Sequence, residues 1–155
     1  MRWKTLAIGL GTAVLGSVGG SIGFAQAAAP TDETVVVVQQ APDQQFVDLG
    51  ASGPSPGDIL VFHSALTDTN GGDAGDLNIQ CGVNFSGLAV CVGIFTIDGR
   101  GQLAVDALPQ LPLPTTGIVT GGNDDFRNVR GEADIQPQAD GTTLITFHLI
   151  GTRAR

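Results

Sequence analysis

Apolar residues recur along the chain in short runs separated by clusters of Gly, Pro, Asn and Asp. The runs are rich in Val, Ile, Leu, Phe and Thr, and no helical stripe longer than about two turns interrupts them. This pattern is typical of an all-β chain of short antiparallel strands. It predicts strands over Thr34–Gln39, Gln45–Leu49, Asp58–Leu66, Leu77–Val83, Ala89–Ile97, Gln102–Ala107, Gly117–Thr120, Phe126–Ile135 and Thr142–Ile150.

The turn-forming clusters fall between these runs, and none is long enough to be a disordered linker. They cover Ser52–Gly57, Thr69–Asp73, Asp98–Gly101, Pro109–Pro114 and Asp140–Gly141. So many short strands in one small domain require a closed barrel or a sandwich, and closure removes exposed strand edges. The periodicity alone does not choose between the two.

The last predicted strand is apolar on both faces. One face carries Ile145, Phe147 and Leu149, and the opposite face includes Leu144 and Ile150. A strand that lines a lumen on one side and is covered by a neighbouring subunit on the other has this composition. The third predicted strand repeats the pattern. We therefore expect an oligomer, because a monomeric barrel usually has a more polar outer face.

The first 27 residues have the character of a secretory signal. Arg2 and Lys4 form a basic start, Thr5–Phe24 carries no charge, and Ala25–Ala27 offers small residues for cleavage. A membrane anchor is the alternative, since about twenty uncharged residues can span a bilayer. The six glycines in the uncharged stretch favour cleavage. The sequence thus predicts a signal peptide over 1–27, a single domain over 28–155, and secretion to the extracellular space.

Charge narrows the set of partners. Cleavage would remove two of seven basic residues and none of fifteen acidic ones, so the net charge moves from −8 to −10. An acidic domain repels phosphate backbones and anionic lipid, so we expect no nucleic-acid partner and no electrostatic membrane binding. The predicted domain has no Lys, Trp or Tyr, which leaves arginines 100, 127, 130, 153 and 155 as its only fixed cations.

Cys81 and Cys91 lie ten residues apart around Asn84–Gly87, a predicted hairpin end. Export and a cross-strand position favour a disulfide, which would contribute about 2 to 3 kcal/mol by closing a short loop. Two buried free thiols are the alternative. A structural zinc site would require a second pair of ligands, and we expect no metal and no cofactor.

Residues 116–131 are similar to a signature shared by the allene oxide cyclases and the dirigent proteins. That signature reads roughly Ile-Thr-Gly-Gly-Thr-Gly-x-Phe-x-x-Ala-Arg-Gly. The resemblance extends to Gly57-Asp58 before an apolar strand, to the cysteines that flank the next hairpin, and to Gly101-Gln102-Leu103. The matching signature residues are Thr120, Gly121, Gly122, Phe126, Arg130 and Gly131.

The resemblance implies an eight-stranded antiparallel β-barrel, usually trimeric. In these families the lumen holds a lipophilic molecule and steers its cyclisation or coupling. The plant cyclases use a Glu on the first strand, where this chain has Val38-Gln39-Gln40. Because an amide cannot take on the charge of a carboxylate, the resemblance does not carry the plant cyclase chemistry to this chain.

Asp125 and Arg130 match the pocket residues that the resemblance to the dirigent proteins implies. A carboxylate and a guanidinium at one barrel mouth could move a proton or hold a developing oxyanion. Alternatively, they are a turn Asp and a surface Arg that pairs with Glu132. Asp58 is a third catalytic candidate, although Gly-Asp before a strand is equally a turn with a side-chain cap.

Four residues in apolar strands are candidates for ligand contact: His63, His148, Phe62 and Phe147. A neutral imidazole can act as a general base near neutral pH, but histidines satisfied in a core or interface are commoner. No Ser elbow accompanies them, so a hydrolase triad is not supported. The acidic stretch that begins at Asp68 is not an EF-hand, because Ile79 stands where the twelfth position requires a Glu.

Three functional hypotheses follow. The first is an isomerase-like or dirigent-like barrel that binds a lipophilic precursor and guides its ring closure or coupling. The second is a noncatalytic protein that binds a lipophile in the same lumen. The third is a structural or interaction module whose barrel is filled with side chains. A lumen packed shut would exclude the first two.

Overall fold

The computed structural model describes residues 31–85, 88–109 and 114–152, and the predicted signal peptide lies outside them. The described chain is all-β apart from one 3-10 turn at Asp124–Phe126. None of its helical segments is long and apolar enough to cross a bilayer. The strands are β1 Thr31–Gln39, β2 Asp43–Val47, β3 Ile59–Thr67, β4 Asp73–Val83, β5 Ala89–Ile97, β6 Gly101–Ala107, β7 Thr115–Gly122, β8 Arg130–Pro137 and β9 Thr143–Thr152.

Eight of the strands close into an antiparallel barrel. From β3 to β9 each strand pairs with the next along the chain. β1 pairs with β9 on one side and with β3 on the other, where Gln39 is opposite Leu66. β2 lies beside the first half of β3, and Gln45 is opposite Val61. The barrel, and not the sandwich, is therefore the architecture, as the resemblance predicts.

The start of β8 is the one place where a predicted strand differs in kind. The sequence predicts a strand from Phe126, but Phe126 lies in the 3-10 turn and β8 begins at Arg130. Asp124 and Asn128 have φ angles of 47° and 69°, in the left-handed region that Asp and Asn tolerate. Two such residues on either side of Phe126 reverse the chain, so the Phe side chain turns inward over the barrel.

Inward-facing side chains alternate with outward-facing ones and form one core. Phe95 and Phe147 meet edge to face, with ring centroids 5.0 Å apart, which is a favourable aromatic geometry. Phe126 and Val129 reach the same core from the β7–β8 connection. The buried cluster contains Val35, Val37, Leu66, Leu77, Phe95, Ile97, Leu103, Val105, Val119, Phe126, Val129, Ala133, Ile145, Phe147 and Leu149.

The barrel has two ends with different connections. The β3–β4, β5–β6 and β7–β8 connections lie at one end, here called the turn end. The β2–β3, β4–β5, β6–β7 and β8–β9 connections lie at the other, here called the loop end. Cys81 and Cys91 are directly opposite on β4 and β5 and form a disulfide near the loop end. This confirms the predicted bond and excludes two free thiols.

Candidate functional site

The inner face of the barrel is partly exposed near the loop end. The alternation that buries Ser64, Leu77 and Val105 continues along the same strands to side chains that solvent reaches in part. A groove of about 450 Å³ at the rim is lined by two of them, Thr115 and Ile135, together with outward-facing residues that include Asp134. We call the partly exposed inner face at this end, together with the rim groove, the loop-end recess. Its inner-face residues are Leu60, Phe62, Ile79, Ala107, Thr115 and Ile135.

Two buried glycines lie on the inner face below the recess, and neighbouring side chains cover both. A Cβ added to Gly93 would lie 3.3 Å from Cε2 of Phe95 and 3.4 Å from Cγ1 of Ile79. One added to Gly117 would lie 2.6 Å from Cγ1 of Val105. The interior is therefore filled at this level, and any guest molecule would sit above it, towards the loop end.

One polar contact stands out on the inner face. Gln39 Nε2 donates a hydrogen bond to Ser64 Oγ at 2.9 Å, and Ser64 is only 2% exposed. Thr143 is opposite Gln39 in the β1–β9 register, which places a third polar residue beside the pair. Between the two ends, the described inner face carries no ionisable side chain. Ser64 is buried, so Gln39 and Thr143 are the partly exposed members of this polar group, and the carboxylate nearest the recess is Asp134 on the rim groove.

The turn end is closed by a cluster around Arg100. Arg100 Nη2 lies 2.7 Å from Glu33 Oε1, and Arg100 Nε lies 3.7 Å from Asp125 Oδ2. The Arg100 guanidinium also stacks over Phe126, with Cζ 4.6 Å from the ring centroid. Phe126 itself is fully buried. The Phe126 ring thus covers the turn end of the barrel, and we call it the plug. The ion pair of Arg100 with Glu33 and the cation–π contact hold it in place.

The predicted catalytic pair is placed at the turn end. The side chain of Asp125 approaches Arg100, and its backbone N–H donates to the Arg100 carbonyl at 3.1 Å. Arg130 is exposed, and its Nη1 donates to the carbonyl of Val129 at 2.6 Å. Sequence reasoning missed the contact of Glu33 with Arg100, although the scarcity of arginine pointed to a small set of cations.

Asp58 lies in the connection between β2 and β3 and is fully buried. Its Oδ1 accepts a hydrogen bond from the backbone N–H of Leu49 at 2.8 Å, and its Oδ2 accepts one from Ser55 at 2.5 Å. The Leu49 hydrogen bond is the main cause that lowers the pKa of Asp58 below its ordinary value, while burial opposes it. These contacts are those of a side-chain cap that orders the connection.

The four candidates for ligand contact are divided between the two faces of the barrel. Phe147 belongs to the buried core, and Phe62 lies on the inner face at the recess. His63 and His148 are exposed on the outer face. His148 Nε2 lies 3.3 Å from Asp134 Oδ2 on the neighbouring strand. The two histidines thus lie away from Phe147, although His63 and its neighbour Phe62 both line one groove of about 380 Å³.

The outer wall has an apolar row of side chains on β5. Val90, Val92 and Ile94 are 49%, 48% and 37% exposed, and they line a shallow groove of about 610 Å³ with Val61. A second groove of about 380 Å³ adjoins it and contains His63. The outward side chains of β5 are thus apolar, whereas β4, which lies between β3 and β5, presents Asn78 and Gln80 in the first groove.

By sequence, no protein-family profile and no curated protein matches the chain. Its fold is similar to that of a pyocyanin demethylase, with a TM-score of 0.67 and 21% identity over 76% of this chain and 99% of that one. It is also similar to the pterocarpan synthase dirigent protein GePTS1, with a TM-score of 0.61 and 14% identity over 84% and 89% of the two chains. A third similar fold is that of the exo-specific intermolecular Diels-Alderase AbnU, with a TM-score of 0.57 and 12% identity over 78% of this chain and 99% of that one.

These likenesses establish the class of fold. The chain has the barrel fold of these neighbours, which include a dirigent protein, and this confirms the fold that the resemblance around Gly121 and Gly122 implies. At these identities the neighbours show the fold alone, and the chemistry has to be argued from the residues of this chain.

Proposed function

We propose that this chain is a secreted barrel protein that binds a small lipophilic molecule in the loop-end recess and steers its cyclisation or coupling. The observation that carries the proposal is the composition of the recess. Its inner-face residues are mostly apolar and partly exposed, the described inner face carries no ionisable side chain between the two ends of the barrel, and Gln39 adds a partly exposed amide. Apolar pockets with a few convergent polar groups are the usual form of small-molecule sites.

The structural neighbours support a reaction guided by binding. Their names denote a demethylase of pyocyanin, a synthase of pterocarpans and an intermolecular Diels-Alderase. Holding reactive ends together can lower a barrier by several kcal/mol without any acid or base from the protein. An inner face without ionisable groups between the two ends suits this mode of catalysis. Asp125, Arg130 and Asp58 stay candidates for a chemical role. Because none of them is among the inner-face residues of the recess, they would have to act on the ligand from outside it.

Passive binding is the second candidate function. It is favoured by the same lack of an acid or base on the described inner face, because a site that only retains its ligand needs neither. The two functions share a ligand and differ in turnover. The filled turn-end half alone would suit a structural module, but the partly exposed recess gives the barrel a place for a guest.

Binding is tested by filling the recess. Ala107 lies on its wall, and Ala104, on the same strand, faces outward. Mass spectrometry detects any lipophilic molecule that co-purifies with the wild-type protein, and we expect Ala107→Trp to lose that molecule and Ala104→Trp to retain it. Equal retention by both variants would place the ligand elsewhere, and a wild-type protein without any bound molecule would count against a lipophile-binding role.

Turnover is tested with the co-purified molecule or its precursor as substrate. If Asp125 or Arg130 contributes to chemistry, its replacement by Ala changes the rate or the stereochemistry of the product. An unchanged product ratio together with an unchanged rate would remove both residues from the mechanism. No conversion by the wild-type protein would leave passive binding as the function.

We further propose that copies of the chain associate through the apolar outer wall formed by Val90, Val92 and Ile94. Burying these side chains against a second copy would remove apolar surface from water. Light scattering on the purified protein measures the assembly. We expect Val92→Asp to reduce its mass while the barrel stays folded, and a wild-type protein that is monomeric at high concentration would contradict the proposal.

A further inference from the structure

We infer that the recess selects an uncharged lipophile and excludes an anionic one such as a free fatty acid. The inference rests on the proposed function, and it specifies the chemical class of the ligand. It is carried by the positions of the charged side chains relative to the recess, together with the neutral polar contact on the inner face.

The described arginines all lie away from the recess. Arg100 and Arg127 lie in connections at the turn end, and Arg130 begins β8 there. A ligand carboxylate in the recess would lose hydration without gaining a cationic partner, because no Lys, Arg or His faces it from the described inner wall. An unpaired charge that leaves water is strongly disfavoured. In the sequence, residues 86–87 and 110–113 include no basic residue either.

The surroundings of the recess are acidic. Asp140 lies in the β8–β9 connection at the loop end, and Asp106 lies one residue before the end of β6. Asp48 and Asp58 lie in the β2–β3 connection. Carboxylates with no nearby arginine create a negative field at the entrance, which repels an anion before it reaches the inner wall.

A cationic ligand does not fit the inner wall either. It would require a carboxylate on the inner wall, which has none between the two ends over the described residues, and Asp134 on the rim groove already lies 3.3 Å from His148. The buried carboxylate of Asp58 is committed to the backbone N–H groups of Leu49 and Ser55. The negative entrance would attract a cation, but the apolar interior would have to strip its hydration without replacing it.

The polar residues that do line the recess are neutral. The carboxamide of Gln39 and the hydroxyl of Thr143 form a partly exposed pair on neighbouring strands, whereas Ser64, which accepts a hydrogen bond from Gln39, is buried. Amide and hydroxyl groups can both donate and accept, so they match the oxygen of a carbonyl, ester or alcohol. The ligand class that suits the walls, the entrance and the polar pair together is therefore an uncharged lipophile with at least one hydrogen-bonding oxygen.

The test compares three probes of equal chain length at pH 8: methyl decanoate, decanoate and decylamine. Binding to the purified protein is followed by displacement of a neutral fluorescent dye. We expect methyl decanoate to bind tighter than either charged probe by roughly tenfold or more. If decanoate or decylamine binds as tightly as the ester, the inference is overturned while the lipophile-binding role stands. If no probe and no dye binds, both are overturned.

Variants locate the effect. Gln39→Leu removes the hydrogen-bonding amide from the inner wall and should weaken the ester several-fold, while Gln80→Leu makes the same change on the outer face of β4 and should not. Gln39→Lys places a cation in the recess and should raise the affinity for decanoate relative to the ester. An unchanged preference in a folded Gln39→Lys protein, verified by circular dichroism, would contradict the assignment of this wall to the ligand.

Discussion

The two ends of the barrel differ in what their side chains do. At the turn end, Phe126 is fully buried and Arg100 is fixed over it by Glu33. At the loop end, inner-face residues such as Phe62 and Ile79 are partly exposed, and the wall contains small residues. The same strands run through both ends, so the difference comes from the connections and from the size of the inward side chains.

This division separates stability from space for a ligand. Ion pairs and aromatic contacts concentrate at the end where the core is complete, and the fixed cations of the described chain lie there too. The other end is left with neutral walls and with a disulfide that ties β4 to β5. If the turn end contributes most of the free energy of folding, substitutions in the recess should change ligand binding with little effect on stability.

Removal of the plug should have the largest effect on stability. We expect Phe126→Ala to lower the free energy of unfolding by about 3 to 5 kcal/mol, because it leaves a cavity in a close-packed core. Urea denaturation measures the change. Phe85→Ala is the matched control, since Phe85 is 96% exposed at the loop end, and its substitution should cost less than about 0.5 kcal/mol. Equal effects of the two would erase the distinction between the ends.

Loss of the disulfide should have the next largest effect. Replacing both Cys81 and Cys91 by Ala should lower the free energy of unfolding by about 2 to 3 kcal/mol, since the bond closes a short loop in the unfolded chain. Reductant should destabilise the wild-type protein to a similar degree and leave the double variant unchanged. A double variant as stable as the wild type would mean that β4 and β5 are held at the loop end by packing alone.

The strands and the disulfide could be predicted because both depend on local sequence. Alternation of apolar residues marks a strand wherever it lies, and Cys81 and Cys91 are only ten residues apart on one hairpin. The resemblance around Gly121 and Gly122 then favoured a barrel over a sandwich. The strands and the disulfide can therefore be predicted from the local sequence, and closure of the barrel can be predicted from the family signature.

The site was less predictable for two physical reasons. In a strand with two apolar faces, the period of two does not say which face is inside, so the outward positions of His63 and His148 could not be derived. The contact of Arg100 with Glu33 joins residues 67 positions apart and depends on the closed barrel. The inward turn of Phe126 had a local signal in Asp124 and Asn128, two residue types that tolerate left-handed backbone.

The Asp58 cap gives the loop end its own dependence on pH. The folded-state pKa of Asp58 is lowered, so its carboxylate stabilises the fold above the unfolded pKa of about 3.9, and this stabilisation is lost as pH falls through the lower folded pKa. We expect Asp58→Asn to be less stable than the wild type at neutral pH, with the difference shrinking below about pH 4. Thermal unfolding between pH 7 and pH 3 measures this.

Asp106→Asn, which alters an exposed carboxylate near the end of β6, is the control for that experiment and should follow the wild type more closely. A constant difference between the wild type and Asp58→Asn at every pH would mean that shape, and not charge, accounts for the cap. In that case the loop end would be ordered by packing in the same way as the turn end.

The Arg100 cluster should have the smallest effect of the four, because its ion pair is partly open to water, with Arg100 and Glu33 side chains 20% and 32% exposed. We expect Arg100→Gln to lower the free energy of unfolding by about 1 kcal/mol, from the combined loss of the ion pair and the stacking on Phe126. Arg127→Gln, on the same end but exposed, should change it little. In about 1 M salt, the stability lost through the ion pair should decrease, while the stability lost through the stacking on Phe126 should remain. If Arg100→Gln matched Phe126→Ala in cost, the guanidinium and not the aromatic ring would be what closes the turn end.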